Sequence, residues 1–484
     1  MEPQSQQPIS ERVKVNRTLT TLTITSDGKL QWTNGRERSV TVEKEVLGFG
    51  IDGLTVTVRA LVNQESGFCC IVKSQGIRRR EDFVFEFLTE DSMTIWCTKL
   101  QELIDLLDRP KRLFIIVNPF GGKKSASKVF NDEVKPLLDA ANIQCTVQET
   151  KYQLHAKEIA QKLNLSSYDG VVCVSGDGVL VEVINGLLQR KDWKSAIKVP
   201  LGIVCAGTGN GMVKSLLDSV DELCSVTNAV LTIIRGHKRP LDVATVLQGE
   251  TRFFSVLMLA WGLVADIDIE SEKYRWMGSL RLDFYGLVRV LRLRRYNGRV
   301  SFVPAPGYES YGTPRIGPTT VDSKDQEETV KMQECTYQGS KASIEEKDWR
   351  IIDGPFISVW LHNVPWASED AMAAPNAQFS DGYLDLIIMK DCSRSSLLTL
   401  FSKMSDGSYV KSPDIVYLKV KALILEPGHR ADDPSKGGII DSDGEVLARG
   451  KGTYKCEAND LMSYGPMNIS VDRGLATLFC PSPS

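Results

Sequence analysis

Apolar and polar positions change period along the chain. Between residues 1 and 109 they mostly alternate, as in Leu54-Thr55-Val56-Thr57-Val58 and Phe83-Val84-Phe85-Glu86-Phe87. Ser26-Asp27-Gly28 and Asn34-Gly35 punctuate them as turns, so strands are expected. The period then becomes helical. Trp96, Leu100, Leu103 and Leu107 fall on one face, with Asp91 or Ser92 as N-cap and Arg109-Pro110 as the stop. From 110 to 240, continuous apolar runs alternate with helical patterns. The runs are Leu113–Val117, Val171–Val174, Leu201–Val204 and, less purely, Cys145–Val147; the helices are expected around 128–140, 156–163, 179–189 and 212–217. That alternation predicts an α/β doubly wound parallel sheet buried on both faces. Residues 241–303 begin β-like, then turn helical and basic. Residues 304–350 are rich in Pro, Gly, Ser and charge and read as a mobile insertion without a core of its own. Residues 355–475 return to strands and predict an antiparallel β-sandwich. No internal repeat is visible. The fold class expected is α+β multidomain, divided at 1–109, 110–240 and 241–484.

Length agrees, since 484 residues suggest roughly three domains. Composition is that of an ordinary globular chain, 42% hydrophobic and 25% charged. With 58 Lys+Arg against 61 Asp+Glu, bulk charge does not drive nucleic-acid binding, and no nucleic-acid partner is expected. The longest apolar run, Phe253 to Ala265, is too short to span a bilayer. The segment MEPQSQQPISERVK lacks an apolar signal region, so a secretory route is not expected. Eleven cysteines, none spaced C-x-x-C and only Cys69-Cys70 adjacent, then read as reduced thiols. The sequon at Asn16 carries little meaning. Scattered His155, His237, His362 and His429 do not suggest a metal site.

Glycine-rich turns come after the buried runs: Asn118-Pro119-Phe120-Gly121-Gly122, Ser175-Gly176-Asp177-Gly178 and Ala206-Gly207-Thr208-Gly209-Asn210-Gly211. In a parallel sheet the strand C-termini share one edge, where ligands bind. Backbone N–H groups and helix N-termini there suit phosphate. Tight turns alone would also call for glycine, but three such loops together favour a nucleotide-phosphate site. No Walker A pattern exists; Gly121-Gly122-Lys123-Lys124-Ser125 only echoes one, and the protein-kinase motifs are absent. Gly48-Phe49-Gly50-Ile51-Asp52-Gly53 matches G-x-G-x-x-G, yet Leu54 to Val58 alternate like a strand, so a hairpin is expected instead. Asp177 sits between glycines at a strand-to-helix turn, where the helix dipole favours its ionised form. There it can accept a proton from an attacking alcohol or hold Mg²⁺. Glu182 and Asn185 share one face of the next helix.

The motifs N-P-x-G-G, S-G-D-G-x-x-x-E-x-x-N-G and A-G-T-G-N resemble the diacylglycerol-kinase catalytic family. Phe254–Gly262 and then Ala265-Asp266-Ile267-Asp268-Ile269-Glu270-Ser271-Glu272-Lys273-Tyr274-Arg275 are similar to sphingosine (long-chain base) kinases, plant members most of all. The resemblance covers roughly 110–300 and 355–475. It implies ATP and Mg²⁺ as cofactors, a sphingoid base as substrate, and binding between an α/β domain and a lipid-binding β-sandwich. By resemblance Asp177 is the general base, and Ser175, Gly176, Asp177, Gly178 and Asp268 meet the lipid head. Asn118, Pro119, Phe120, Thr150, Lys151, Tyr152, Gln153, Leu154, Glu182, Gly207, Thr208 and Gly209 meet nucleotide. Arg275 and Arg281 reach its phosphates. Asp443, Gly444 and Glu445 match a late D-G-E motif, with Asp443 near metal. Phe120 and Lys124 depart from the family, which often has a basic residue and a glycine there. Residues 1–109 resemble a pleckstrin-homology-like module.

Charge patterning adds to this. Asp266, Asp268, Glu270 and Glu272 alternate, so an extended chain puts them on one face, suited to a substrate ammonium. A polar edge strand leading into a helix gives the same spacing. Arg275, Arg281, Arg289, Arg292, Arg294 and Arg295 alternate with leucine and valine; they reach ATP, face an anionic membrane, or cover the lipid pocket as a solvated surface. Lys73, Arg78, Arg79 and Arg80 form either a lipid-headgroup patch or a solvated basic loop. The expected enzyme is a cytoplasmic lipid kinase, peripheral on the cytosolic face of membranes, endomembrane or vacuolar included. Ceramide or diacylglycerol kinase activity is the nearest alternative. An NAD kinase is disfavoured by Ala260-Trp261-Gly262 and the acidic row, and a non-catalytic lipid-binding scaffold by the intact acids.

Overall fold

The computed structural model describes residues 8–63, 77–122, 124–278, 280–315, 336–339, 348–454 and 460–482. Alternation at the start of the chain becomes a seven-stranded antiparallel sheet, from Ile9–Val15 to Arg78–Phe87. Helix α1 (Glu90–Asp105) closes it, burying Met93, Trp96, Cys97 and Leu100 against Phe85 and Phe87. Its N-cap is Thr89, not Asp91 or Ser92. The Thr89 hydroxyl accepts the Ser92 N–H, which leaves Glu90 and Asp91 in the first turn, where the helix dipole favours acids. The Gly48–Gly53 segment is the expected hairpin, though only Gly53, at φ 57°, makes the turn. Gly48 lies within a strand, where a Cβ would stand 2.8 Å from the Ala140 carbonyl oxygen.

This module is clamped to the rest of the chain. The Arg109 guanidinium donates to the carbonyls of Val42, Val46 and Leu47 at 2.9 Å each. Arg78 meets Glu222 at 2.6 Å, and Arg235 donates to the Lys44 carbonyl at 2.7 Å. Of the basic cluster, Arg78 is turned inward while Arg79 and Arg80 stay at the surface in ion pairs. Arg79 pairs with Glu81 and Arg80 with Asp82; Lys73 lies outside the described residues.

The continuous apolar runs form parallel strands β1 (Arg112–Val117), β2 (Gln144–Glu149), β3 (Gly170–Ser175) and β4 (Leu201–Cys205), in the order β4-β3-β1-β2. Helices α2 (His155–Lys162), α3 (Asp177–Leu188), α4 (Gly211–Asp218) and α5 (Val226–Arg235) connect or flank them. The second half contributes β5 (Lys238–Gln248), β6 (Thr251–Ser255), β7 (Met258–Gly262), β8 (Tyr296–Pro304), β9 (Ser358–His362), β10 (Leu384–Met389), β11 (Ile415–Arg430), β12 (Ile439–Ser442), β13 (Glu445–Arg449) and β14 (Met467–Phe479). β12 and β13 form a hairpin, because Asp443 and Gly444 take φ 55° and 82°.

β14 is the seam. It pairs antiparallel with β5 along its length and with β11 over Met467–Ser470, and near its end Leu478 pairs parallel with Leu201. Among the described residues one sheet of 16 strands thus runs from the parallel half into the antiparallel half. A separate apolar layer, including Ala260, Ile269, Val290, Trp360 and Ile387, lies between one face of the β7-β9-β10 strands and helices α6 (Leu263–Glu270), α7 (Leu280–Leu291) and α8 (Arg394–Ser402). The expected insertion falls largely outside the described residues, at 316–335 and 340–347. Its described parts do pack on neighbouring cores. Tyr337 lies against Trp193 and Phe254, and Arg350–Asp353 pairs with β8.

Candidate active site

Because β1, β3 and β4 are parallel, their three glycine loops emerge at one edge and touch. A Cβ on Gly207 would stand 2.2 Å from the Gly176 Cα, and one on Gly122 would stand 2.9 Å from the Gly207 carbonyl carbon. Glycine is needed there so that the loops stack backbone on backbone. Gly178 and Gly209 are different: nothing approaches a Cβ on either more closely than 3.6 Å.

Asp177 begins α3 at this junction. Its two oxygens accept the Gly211 and Met212 N–H groups, at 2.9 and 3.0 Å, from the first turn of α4. Burial pushes the carboxyl above the ordinary carboxylate range, and those amides only partly pull it back. The ionised form is thus less favoured than the helix dipole alone suggests, and the carboxylate is correspondingly a stronger proton acceptor. Asn210 fixes the third loop, accepting the Gly207 N–H at 3.0 Å and donating to Glu369 at 2.6 Å. Glu369 arrives from a segment 159 residues away, and no spacing in the sequence announces it.

A second corner gathers most residues expected at nucleotide. Asn118 Oδ1 accepts the Phe120 N–H at 3.0 Å and the Thr150 hydroxyl at 3.2 Å. The turn 150–154 ends at Leu154 with φ 65°, and Glu182 accepts the Ala156 N–H at 3.0 Å, capping α2. Burial, then repulsion from Glu445, pushes Glu182 up to about 7. Gln153 donates to Glu445 at 2.6 Å, tying the β12–β13 hairpin to this corner. Lys151 and Tyr152 lie alongside: the Lys151 N–H donates to His155, and the Tyr152 hydroxyl to Glu158. Pro119, Gly207, Thr208 and Gly444 belong to the turns that frame it.

Asp443 is wrapped rather than open. It accepts the N–H groups of Val256, Leu257 and Met258 at 3.2, 2.8 and 2.8 Å, beside the Ser442 hydroxyl. The Ser442 hydroxyl has one proton and a closer acceptor in the Met258 carbonyl at 2.8 Å, so the amides fill three of the carboxylate's four acceptor positions. Among the described residues no group of three or more His, Cys, Asp or Glu is arranged to hold a metal.

The acidic row is not extended. Residues 263–270 are α6 and 271–277 a 3₁₀ turn, so acids four apart share a face. Asp266 and Glu270 turn inward. Arg294 donates to both, at 3.2 and 2.8 Å, and Tyr296 and Tyr285 add hydroxyls at 2.6 and 2.5 Å. Two of the four acids expected at substrate are therefore structural. Asp268 remains on another face, 3.7 Å from Arg281, whose guanidinium also donates to the Ser271 hydroxyl at 2.8 Å. Arg275 lies in the 3₁₀ turn; its side chain is outside the described residues.

The basic segment is only partly helical, since α7 stops at Leu291 and β8 begins at Tyr296. Its amphipathicity is inverted relative to the solvated-arginine expectation. Arg281 and Arg289 are buried, while Leu280, Phe284, Leu287 and Leu291 face outward with Trp276, which is 82% exposed.

Comparisons with known proteins agree with this geometry. Residues 112–246 match the diacylglycerol kinase catalytic domain, and residues 345–462 the YegS C-terminal NAD kinase beta sandwich-like domain. Sphingosine kinase 1 of Arabidopsis thaliana is 58% identical over 98% of this chain and 96% of its own. The chain belongs to the sphingosine kinase family. Human sphingosine kinase 1 is 33% identical over 71% of this kinase and 88% of its own length. A crystal structure of a diacylglycerol kinase from Bacillus anthracis shares the fold at 18% identity, with a TM-score of 0.51 over 77% of this kinase and 98% of that chain. This kinase is therefore an enzyme with a β-rich N-terminal module, an α/β catalytic domain and a C-terminal β-sandwich. No helix among its described residues is long and apolar enough to cross a membrane.

Proposed function

We propose that this kinase transfers the γ-phosphoryl group of ATP to the primary hydroxyl of sphingoid long-chain bases: sphingosine, sphinganine and phytosphingosine. The observation that carries the reading is Asp177, fixed by two amides where the glycine loops meet and raised above the ordinary carboxylate range. Its carboxylate takes the hydroxyl proton as the substrate oxygen bonds to the γ-phosphorus. The bond from that phosphorus to the β–γ bridging oxygen breaks, and ADP leaves. In this reading residues 110–240 bind nucleotide at the Asn118, Thr150–Leu154 and Glu182 corner, to which Glu445 also comes, while 241–484 bind lipid and 1–109 brace the nucleotide half. Backbone amides and helix N-termini at the loops fit an anionic phosphate chain. Mg²⁺ belongs to the reading as charge neutralisation on the phosphates, and Asp443 is the residue that would hold it.

Membrane contact is part of the same reading, and α7 supports it. Its outward Leu280, Phe284, Leu287 and Leu291, with Trp276, make an apolar strip suited to the acyl boundary of a bilayer. It borders the α6–α7–α8 layer, where an alkyl chain would be received. A peripheral position on the cytosolic face of membranes completes the reading. The test is purified protein with labelled ATP and sphinganine, ceramide or diacylglycerol. Phosphorylation of sphinganine is expected; activity confined to the other two would overturn the substrate assignment.

A further inference from the structure

Six acids of the β-sandwich half are buried among the described residues: Asp242, Asp266, Glu270, Asp385, Asp441 and Asp443. Five are met by donors. Asp242 accepts the Gly382 and Gly474 amides, Asp266 and Glu270 share Arg294, Asp385 pairs with Lys419, and Asp443 has its three amides. Asp441 is the exception: no N–H or cation reaches either of its oxygens. Leaving a buried carboxyl unmatched is costly, and this chain avoids it elsewhere.

The surroundings of Asp441 sharpen the anomaly. It lies on β12 opposite Val446 of β13 and Ala260 of β7, both members of the apolar layer beneath α6 and α7. The groups that act on it are acids: Asp268 of α6 first, by charge and by a carboxyl-to-carboxyl hydrogen bond, then Asp443 and Glu445 by charge. The cations nearby are engaged, Arg281 with Asp268 and Arg289 and Arg294 with Asp266. Just beyond β12, the Asp443 carbonyl oxygen stands 3.6 Å from where a Gly178 Cβ would be, next to Asp177.

We propose that Asp441 is a second carboxyl of the substrate's amine site, accepting a hydrogen bond from the ammonium that Asp268 meets from α6. The inference rests on the sphingoid-base reading above. An ammonium offers three N–H donors and a charge, so it can serve two carboxyls at once. An N-acylated base offers one neutral N–H and leaves one of them unmatched. The amine of a sphingoid base is on the carbon next to the reacting hydroxymethyl, which fits the approach of the β12 end, at the Asp443 carbonyl, to the Asp177 loop.

The test compares wild type, Asp441→Asn and Asp441→Ser in the full chain, with sphinganine, N-acetylsphinganine and ATP as varied substrates. The KM for sphinganine is expected to rise about 10–100-fold, the range of a charge-assisted hydrogen bond. The kcat is expected to stay within about threefold. The KM for ATP and the Mg²⁺ requirement should not move, and the preference for sphinganine over N-acetylsphinganine should narrow. Asp441→Asn should melt no lower than wild type, since its amide can donate to Asp268; a merely structural Asp441 would give a lower Tm with unchanged KM. If only one variant folds, its kinetics decide. An unchanged sphinganine KM in a folded variant overturns the assignment, as does a rise confined to ATP or Mg²⁺. Wild type inactive on sphinganine would instead sink the substrate reading itself.

Discussion

The glycine-loop edge and the α6–α7 layer both crowd acids against backbone or base, but they are built in opposite ways. At the loop edge, amides do the holding: Asp177, Glu182 and Asp443 are all gripped by N–H groups. In the α6–α7 layer, side chains do it, with Asp266 and Glu270 locked to Arg294 and two tyrosines. Amide-held carboxylates stay available to act, because their partners carry no full charge to neutralise them. Those held by arginine are consumed as structure. In the proposed reading, proton transfer belongs to the first region, while the second supplies rigidity at Asp266 and Glu270 and a grip on substrate at Asp268 and Asp441.

The largest effect should come from Asp177→Asn. Turnover is expected to fall by about 10²–10⁴, the usual contribution of a positioned base, with the melting curve intact. A folded variant with near-normal activity would break the comparison at its centre. Arg294→Met should do the reverse. It leaves Asp266 and Glu270 short of a partner in the interior, so a stability loss of about 3–5 kcal/mol is expected in denaturant unfolding. A loss below about 1 kcal/mol would show that the layer is not held by this network. Gly207→Ala forces the second and third loops apart; a shift near 1 Å at that edge should lower kcat/KM by about 10²-fold. Equal activity would mean that the loops tolerate separation. Leu291→Glu places a charge on the outward strip of α7. Sedimentation with anionic vesicles should fall by about tenfold or more, while activity on detergent-dispersed substrate holds. Undiminished sedimentation would detach the strip from membrane contact.

The smallest effect is a pH dependence. Glu182 is raised to about 7 by burial and Glu445. A carboxyl raised on folding contributes stability that is full below its unfolded pKa of 4.5 and is lost as pH rises through about 7. Relative to Glu182→Gln, wild type should therefore lose stability between pH 4.5 and about 8. The swing is at most about 3 kcal/mol, and less for the carboxyl's partial exposure. Parallel curves for the two proteins would contradict the raised value.

The same contrast explains how far the sequence could be read. Loop motifs encode backbone geometry directly, so Asn118–Gly122, Ser175–Gly178 and Ala206–Gly211 are legible as one edge once the buried strands are recognised. The α6–α7 layer encodes faces, and a face depends on the period. Acids at every second position read as a strand, but the chain there is helical, so alternate acids separate and two become structural. The α7 arginines mislead for a related reason: charge suggests an outer face, yet the ion partners lie inside. Glu369 is unmarked because it reaches the third loop from a distant segment.

Lys198, beside β4, donates to the carbonyls of Gly474 and Leu475 on β14, 276 and 277 residues later in the chain, and Leu201 pairs with Leu478 there. A ribosome releases the nucleotide half long before the strand that completes its edge. Until β14 arrives, β4 presents an unpaired hydrogen-bonding edge, a template for sticking to other chains. The parallel half therefore closes its β4 edge only after the last strand of the antiparallel half has been made, so the two halves finish folding as one sheet.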